Sequence, residues 1–322
     1  MKATNKFKTC VDLFAGGGGF STGARMAGFN VKWAANHWPL AVEYHTLNHP
    51  STKHSCQDLQ QAKFALETPD HDILLASPAC QGHSRARGKE RAHHDACRST
   101  AWAVISAVEA KEPKLVIVEN VTEFQTKWKL YEQWEQSLVK LGYHVTSRVV
   151  NSADLGVPQD RRRLFITASR LAPVNFILPS RKHSTARDII DFYSGRWSQV
   201  EKTTGRRRSL KTLEQVYNGR KRYGKRFLVA YYGSEKHGRS LDKPLGTVGT
   251  RDTFAVIDGD WMRMLSAEEY RRAMGFPEGY ILPAKHEDAV KMLGNAVVPQ
   301  VAAEVIKGSV ECLQKLKLRR AA

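Results

Sequence analysis

Short apolar runs alternate with helix-period stretches over the first 170 residues. TCVDLF (9–14) and VKWAAN (31–36) read as strands, and between them STGARMAG (21–28) reads as a helix closed by Gly28. PLAVEYHTLN (39–48) has helical spacing with Pro39 at its start. The alternation continues through strands DILLAS (72–77), KLVIVENV (114–121), HVTSRVV (144–150) and RLFITAS (163–169). Helices STAWAVISAVEA (99–110) and WKLYEQWEQSLVKLG (128–142) lie among them. A run such as LVIV, apolar at every position, predicts a strand covered on both faces, so the fold class expected is α/β with a doubly wound sheet. Ligands bind such sheets at the carboxyl ends of the strands. Past residue 171 the alternation fails. It returns at SAEEYRRAMGF (266–276), where Ser266 and Glu269 form a capping box, and in a last helix after Pro299. Three segments are expected: 1–170 as a catalytic and ligand-binding domain, 171–265 as a second, smaller domain of unreadable fold, and 266–322 returning to the first.

With 42% hydrophobic and 25% charged residues among 322, the composition excludes global disorder and fibrous repeats. No uninterrupted apolar run approaches the roughly 18 residues of a membrane span, and the start lacks a signal pattern, so a cytoplasmic protein without membrane contact is expected. Five cysteines, an odd number without a CxxC pair, argue against a disulfide framework or a cysteine-rich zinc site. Charge changes the picture more. A net +18 points to a polyanion partner, and residues 171–240 hold 16 Lys and Arg against 5 Asp and Glu. Aromatic residues interleaved there, among them Tyr217, Tyr223, Phe227, Tyr231 and Tyr232, suit nucleic acid better than a disordered basic tail.

Five short motifs carry candidate chemistry. DLFAGGGGFSTG (12–23) leads from a strand through four glycines into a helix, a turn where backbone approaches a ligand closely. It is not a dinucleotide fingerprint, because Ser21 stands where a third glycine would be and no acid ends the next strand. ASPACQGHSRARG (76–88) sets Cys80 just past a strand end, among polar and basic residues that favour thiolate. Cys10 and Cys312 read instead as small buried hydrophobes. VIVENV (116–121) brings Glu119 and Asn120 to the end of a buried strand, and alternation in PQDRRRLF (158–165) sets Arg161 and Arg163 on one face with Arg162 on the other. GNAVVPQVA (294–302) is a Gly-Asn loop entering a helix.

In order and spacing, DLFAGGGG, SPACQ, ENV, QDRRR and GNAVVP resemble the motifs of the DNA cytosine-5 methyltransferases, bacterial or phage in style, over nearly all of the chain outside 171–240. The resemblance implies a Rossmann-like sheet dependent on S-adenosylmethionine, and a smaller target-recognition domain where the basic excess lies. It implies that Cys80 adds to C6 of a flipped-out cytosine, that Glu119 bonds N3 and the exocyclic amine, and that Arg163 holds O2. Arg161 would order the same pocket and Asn120 would fix the Glu119 loop. For the donor it implies Phe14, Gly16, Gly17, Gly18 and Gly19 around the methionine part, Trp38 against adenine, Asp58 near the adenine amine, and Asn295 with Ala296 closing the site. Two positions depart from the family: His37 stands where Glu usually binds the ribose, and Ala79 where Pro usually precedes the nucleophile.

Residues 82–99 resemble the family's loop that closes over DNA, with Asp95 and Arg98 at its acidic and arginine positions. Gln81, Ser84, Arg85 and Arg87, with Arg206, Arg207 and Arg208 of the insert, are the expected DNA contacts. His93, His94 and Cys97 in that basic loop make a poor zinc site, so no metal is expected. The expected partner is double-stranded DNA in a nucleoid-associated monomer, with a cognate restriction endonuclease left open. Two alternatives stay open: a transfer-RNA cytosine-5 methyltransferase, and a catalytically idle DNA-binding repressor on the same fold.

Overall fold

The computed structural model describes residues 7–61, 63–79, 93–203, 206–231 and 235–321. Contacts divide the chain into two compact units, one of residues 1–151, 162–180 and 296–322, the other of 152–161 and 181–295.

In the first unit β1 (Thr9–Leu13), α1 (Gly19–Met26), β2 (Asn30–Asn36), α2 (Pro39–Asn48), β3 (Lys53–Cys56), α3 (Lys63–Glu67), β4 (Ile73–Ala76), α4 (His93–Lys111) and β5 (Leu115–Asn120) alternate. Two helices, α5 (Glu123–Lys127) and α6 (Tyr131–Lys140), and two strands, β6 (His144–Asn151) and β7 (Arg162–Ser169), follow. The seven strands form one sheet in the order β3-β2-β1-β4-β5-β7-β6. Pairing is parallel from β3 to β5, while β7 runs antiparallel to both its neighbours. The uniform apolar run in β5 has the cause the pattern suggested: Leu115 to Val118 are all buried. On one side Trp134 packs among Phe124, Trp128 and Tyr131 and donates its indole N–H to the Ala101 carbonyl at 2.9 Å. The strand β3 escaped the sequence because KHSC has no apolar run; as an edge strand it needs none.

The second unit holds β8 (Ser198–Gln199), β9 (Lys202–Thr203), β10 (Arg206–Arg207), α7 (Leu210–Tyr223), β11 (Arg226–Ala230), β12 (Phe254–Asp258), β13 (Trp261–Met264), α8 (Ala267–Ala273) and α9 (His286–Asn295). An antiparallel sheet in the order β11-β12-β13-β8 carries its core, with Phe227, Val229, Ala255, Ile257 and Met262 against Val216 of α7. Gly219 permits that approach, since a Cβ there would lie 2.2 Å from the Phe227 ring. Phe227 of the basic aromatic stretch is therefore interior, not a partner contact.

The capping box at Ser266 and Glu269 is present, and both Glu269 oxygens also bind Arg263, at 2.7 and 2.8 Å. Tyr270 donates to Asp252 at 2.7 Å. These bonds hold residues 266–295 in the second unit, so its boundaries differ from 171–265: periodicity marks where helices resume, and packing decides where they belong. The chain returns to the first unit at Ala296 and ends in α10 (Pro299–Ala321), which packs on α1. The stretch His286–Leu316 reaches a mean hydropathy of 1.2 in its most apolar window, yet 78% of that window is buried, which marks core helices.

Candidate active site

Strand order reverses at β1, which has β2 on one side and β4 on the other, and the crevice at such a reversal is where open α/β sheets bind ligands. Past β1 the chain turns through three left-handed residues, Phe14 (φ 59°), Gly16 (φ 50°) and Gly18 (φ 78°), before α1 begins. A Cβ on Gly16 would meet only the Phe14 carbonyl, at 3.8 Å, so that side of the turn is open. Gly19 serves packing: a Cβ there would lie 1.9 Å from the Val297 carbonyl. Ser77, just after β4, donates its N–H to the Leu13 carbonyl and its hydroxyl to the Phe14 carbonyl, both at 3.2 Å, tying the two loops together.

At the end of β2, Asn36 accepts the Trp38 N–H at 2.9 Å, leaving the indole half-buried and His37 exposed. Asp58 follows β3, exposed, and accepts the Gln60 N–H at 3.0 Å. Phe14, Gly16 to Gly19, His37, Trp38 and Asp58 thus follow the carboxyl ends of three adjacent strands. An open glycine turn beside a half-buried indole and a carboxylate fits an adenine-bearing ligand. Asn295 is instead the exposed last residue of α9 in the second unit, and Ala296 is buried.

Glu119 and Asn120 end β5. Glu119 is 7% exposed and its Oε1 lies 3.2 Å from Nε of Arg163 on β7, which also donates to the Arg162 carbonyl. Register explains the meeting: β5 and β7 are paired neighbours, with Asn120 opposite Leu164. Asn120 donates its amide to the Pro78 carbonyl at 3.2 Å and accepts the Val121 N–H at 2.9 Å. A buried side chain thereby holds the backbone two residues before Cys80 against the strand that carries Glu119. Cys80 itself, with Gln81, Ser84, Arg85 and Arg87, lies outside the described residues. Cys10 is not a competing nucleophile, because burial pushes its thiol far up. Cys312 is only half-buried.

The QDRRR motif divides between the units. Gln159 and Arg161 are buried in the second unit. Gln159 accepts the Val248 N–H at 2.8 Å and donates to the Ala273 carbonyl, while Arg161 donates to the carbonyls of Val248 and Gly294 at 2.9 and 3.0 Å. Within its unit Arg161 is a staple. Arg163 pairs with Glu119. In the basic insert, Arg208 turns its guanidinium onto the Ser198 hydroxyl at 2.6 Å, and the side chains of Arg206 and Arg207 lie outside the described residues. Exposed on the same unit are Lys221 over Tyr217, at 4.4 Å from the ring centre, and Arg226 over Phe192, at 4.3 Å, a basic and aromatic surface of the kind that takes nucleic acid. No cluster able to hold a metal ion occurs among the described residues; the side chains of His93, His94 and Cys97 lie outside them.

One polar group was overlooked in the sequence. Asp12 is fully buried in β1, accepts the Ser21 hydroxyl at 2.7 Å through Oδ2, and has no partner for Oδ1 among the described residues. Ser21 Oγ lies 3.0 Å from Nε2 of His45, whose Nδ1 lies 2.8 Å from Nε2 of His54. Burial pushes the Asp12 carboxyl up to about 7 and holds His45 and His54 below the usual imidazole range. The available signal was an acid inside an otherwise apolar strand.

The C-5 cytosine-specific DNA methylase family matches residues 8–311. Type II methyltransferase M.MthTI of Methanothermobacter thermautotrophicus is 28% identical, over 92% of this chain and 94% of its own length. Type II methyltransferase M1.HphI of Haemophilus parahaemolyticus is 30% identical, over 92% and 85%. Among solved structures, an E. coli prophage protein described as a DNA modification methyltransferase superposes with a TM-score of 0.68 at 20% identity, covering 95% of this chain and 99% of that one. A Spodoptera frugiperda DNMT2 mutant superposes equally well, with a TM-score of 0.68 at 17% identity over 94% and 99%. With the family's match running almost from end to end and the methyltransferase sheet in place, the chain belongs to the C-5 cytosine-specific DNA methylases.

Proposed function

We propose that the protein transfers a methyl group from S-adenosylmethionine to C5 of a cytosine flipped out of duplex DNA, through a covalent Cys80 adduct. The observation that carries this reading is the Glu119–Arg163 pair at the end of β5, with Asn120 gripping the chain two residues before Cys80. Cytosine C5 is too electron-poor to attack a sulfonium directly. The Cys80 thiolate adds to C6, the ring becomes an enamine at C5, and Glu119 supports a proton at N3 as charge builds there, with Arg163 at O2. The donor supplies an electrophilic methyl that C5 takes. Loss of the C5 proton then restores the double bond and releases Cys80. The glycine turn with Phe14, His37, Trp38 and Asp58 would bind the donor, with Ala296 as a further contact. The second unit would recognise the target, with Arg206 to Arg208 as DNA contacts, and Gln81, Ser84, Arg85 and Arg87 of the first unit would contact DNA as well. The type II relatives make a restriction endonuclease the natural protein partner, in a cytoplasmic setting.

Bisulfite sequencing of DNA from cells expressing the protein tests this. Wild type gives 5-methylcytosine in a fixed sequence context, Cys80→Ser gives none, and Glu119→Gln slows the reaction by about 10²- to 10⁴-fold. DNA left unmethylated by wild type, or methylated by Cys80→Ser, refutes the reading.

A further inference from the structure

Asp12, Ser21, His45 and His54 make one hydrogen-bonded chain from a fully buried carboxyl in β1, through α1 and α2, to a half-exposed imidazole on β3. We propose that Ser21, His45 and His54 position the methyl donor by setting the charge on Asp12, taking up one proton at the His54 end and delivering it to the carboxyl two residues before the glycine turn. The proposal rests on the donor lying at that turn.

The contacts permit two proton counts. In the loaded arrangement Asp12 is a carboxylic acid that donates to Ser21 Oγ, the Ser21 hydroxyl donates to His45 Nε2, and His45 Nδ1–H donates to His54 Nε2. His54 then carries its proton on Nδ1, and a ring N–H of His54 donates to the Thr52 main chain. In the unloaded arrangement every bond reverses: His54 Nε2–H donates to His45 Nδ1, His45 Nε2–H to Ser21 Oγ, and Ser21 to an ionised Asp12. The loaded arrangement holds one proton more, taken up at His54 Nδ1, and both histidines exchange tautomers without becoming imidazolium. Burial disfavours imidazolium at both rings and disfavours carboxylate at Asp12, so the proton that comes and goes near neutrality is the one on Asp12.

The surrounding charges leave that assignment intact. On β1 the Cys10 thiol stays neutral, and Asp72, before β4, is paired with Lys114. Arg25 of α1 donates to Nδ1 of His49, which burial and that guanidinium hold down at about 4; His49 Nε2 lies 3.2 Å from the Thr22 hydroxyl. Val297, and Pro299 and Ala302 of the last helix, lie against α1. His49, just past the end of α2, also hydrogen-bonds the Gly18 main chain, so one histidine grips the glycine turn while His45 of α2 governs Asp12. A carboxylate favours a cationic ligand. Affinity for S-adenosylmethionine should fall as pH drops through about 7, and affinity for S-adenosylhomocysteine, which lacks the sulfonium charge, should fall much less.

Two measurements test this on the full chain. In the ligand-free wild type, nitrogen-15 NMR of the histidine rings from pH 5.5 to 8.5 should show His45 exchanging its proton from Nδ1 to Nε2 as pH rises, with the midpoint of the Asp12 carboxyl resonance. A fixed His45 tautomer, or imidazolium at His45, overturns the chain. Calorimetry of both ligands at pH 6 and 8 should show the preference for S-adenosylmethionine rising several-fold toward pH 8. Asp12→Asn should flatten that rise, and Ser21→Ala should move its midpoint to higher pH, because the carboxylate loses its hydroxyl donor. A preference independent of pH in wild type overturns the donor-positioning role even if the tautomers exchange. Binding of neither ligand at any pH sinks the proposed function instead, and the NMR result stands apart from it.

Discussion

Asp12 in the first unit and Glu269 in the second are both wholly excluded from solvent, yet the structure treats them oppositely. Glu269 accepts from both terminal nitrogens of Arg263 and from the main-chain N–H of Asp191 and Ser266, so each oxygen has two partners. Among the described residues Asp12 is met by Ser21 alone, through its hydroxyl and its main chain, and its Oδ1 has no partner. A buried carboxylate matched in charge and in hydrogen bonds holds architecture in place. One matched on a single side is held near the point where it changes charge, which is a property a binding site can use.

That contrast can be broken most severely at Glu269. Replacing it by Ala strands the Arg263 guanidinium in the interior and should cost about 3 to 5 kcal/mol of stability, read by urea unfolding of the full chain. A loss under about 1 kcal/mol would mean the pair is not the staple described. Asp12→Asn should act in the other direction and depend on pH. The folded-state carboxyl is raised from 3.8 to about 7, so its contribution to stability is full below pH 4 and is lost as pH rises toward 7. Asn has no such loss. The stability of Asp12→Asn relative to wild type should therefore climb by roughly 2 to 4 kcal/mol between pH 4.5 and 8. A difference that stays constant with pH would remove Asp12 from the titrating groups. The gauge for both is an exposed pair, Lys63 with Glu67 at 3.3 Å on α3, where Lys63→Ala should shift stability by no more than about 0.5 kcal/mol.

Much of the site was legible because its parts end apolar strands. Glu119 and Asn120 follow the run LVIV, and a carboxylate there has to emerge at the sheet's carboxyl edge. Alternation separated Arg162 from its two neighbours, and it is the exposed one. Alternation could not say that Arg161 and Arg163, on one face by period, serve different units: the first binds carbonyls of Val248 and Gly294, the second Glu119. Those partners lie far along the chain. The basic insert was legible as charge but not as structure, since its aromatic residues divide between interior, as Phe227, and surface, as Tyr217, and composition is blind to that division.

By itself the sequence determined the alternation of strands and helices in the first unit apart from β3, α3 and α5, the glycine turn after β1 and the capping box that opens α8. Each is encoded within a few residues, by a hydrophobic period, by glycines able to adopt positive φ, or by a hydroxyl and a carboxylate three positions apart. Tertiary structure alone decided that residues 266–295 join the second unit, and that His45, His54 and Ser21 converge on Asp12. The physical reason is separation. A hydrogen bond across 24 or 133 positions of chain, as between Ser21 and His45 or Arg161 and Gly294, leaves no local pattern, because what sets it is the packing of whole elements.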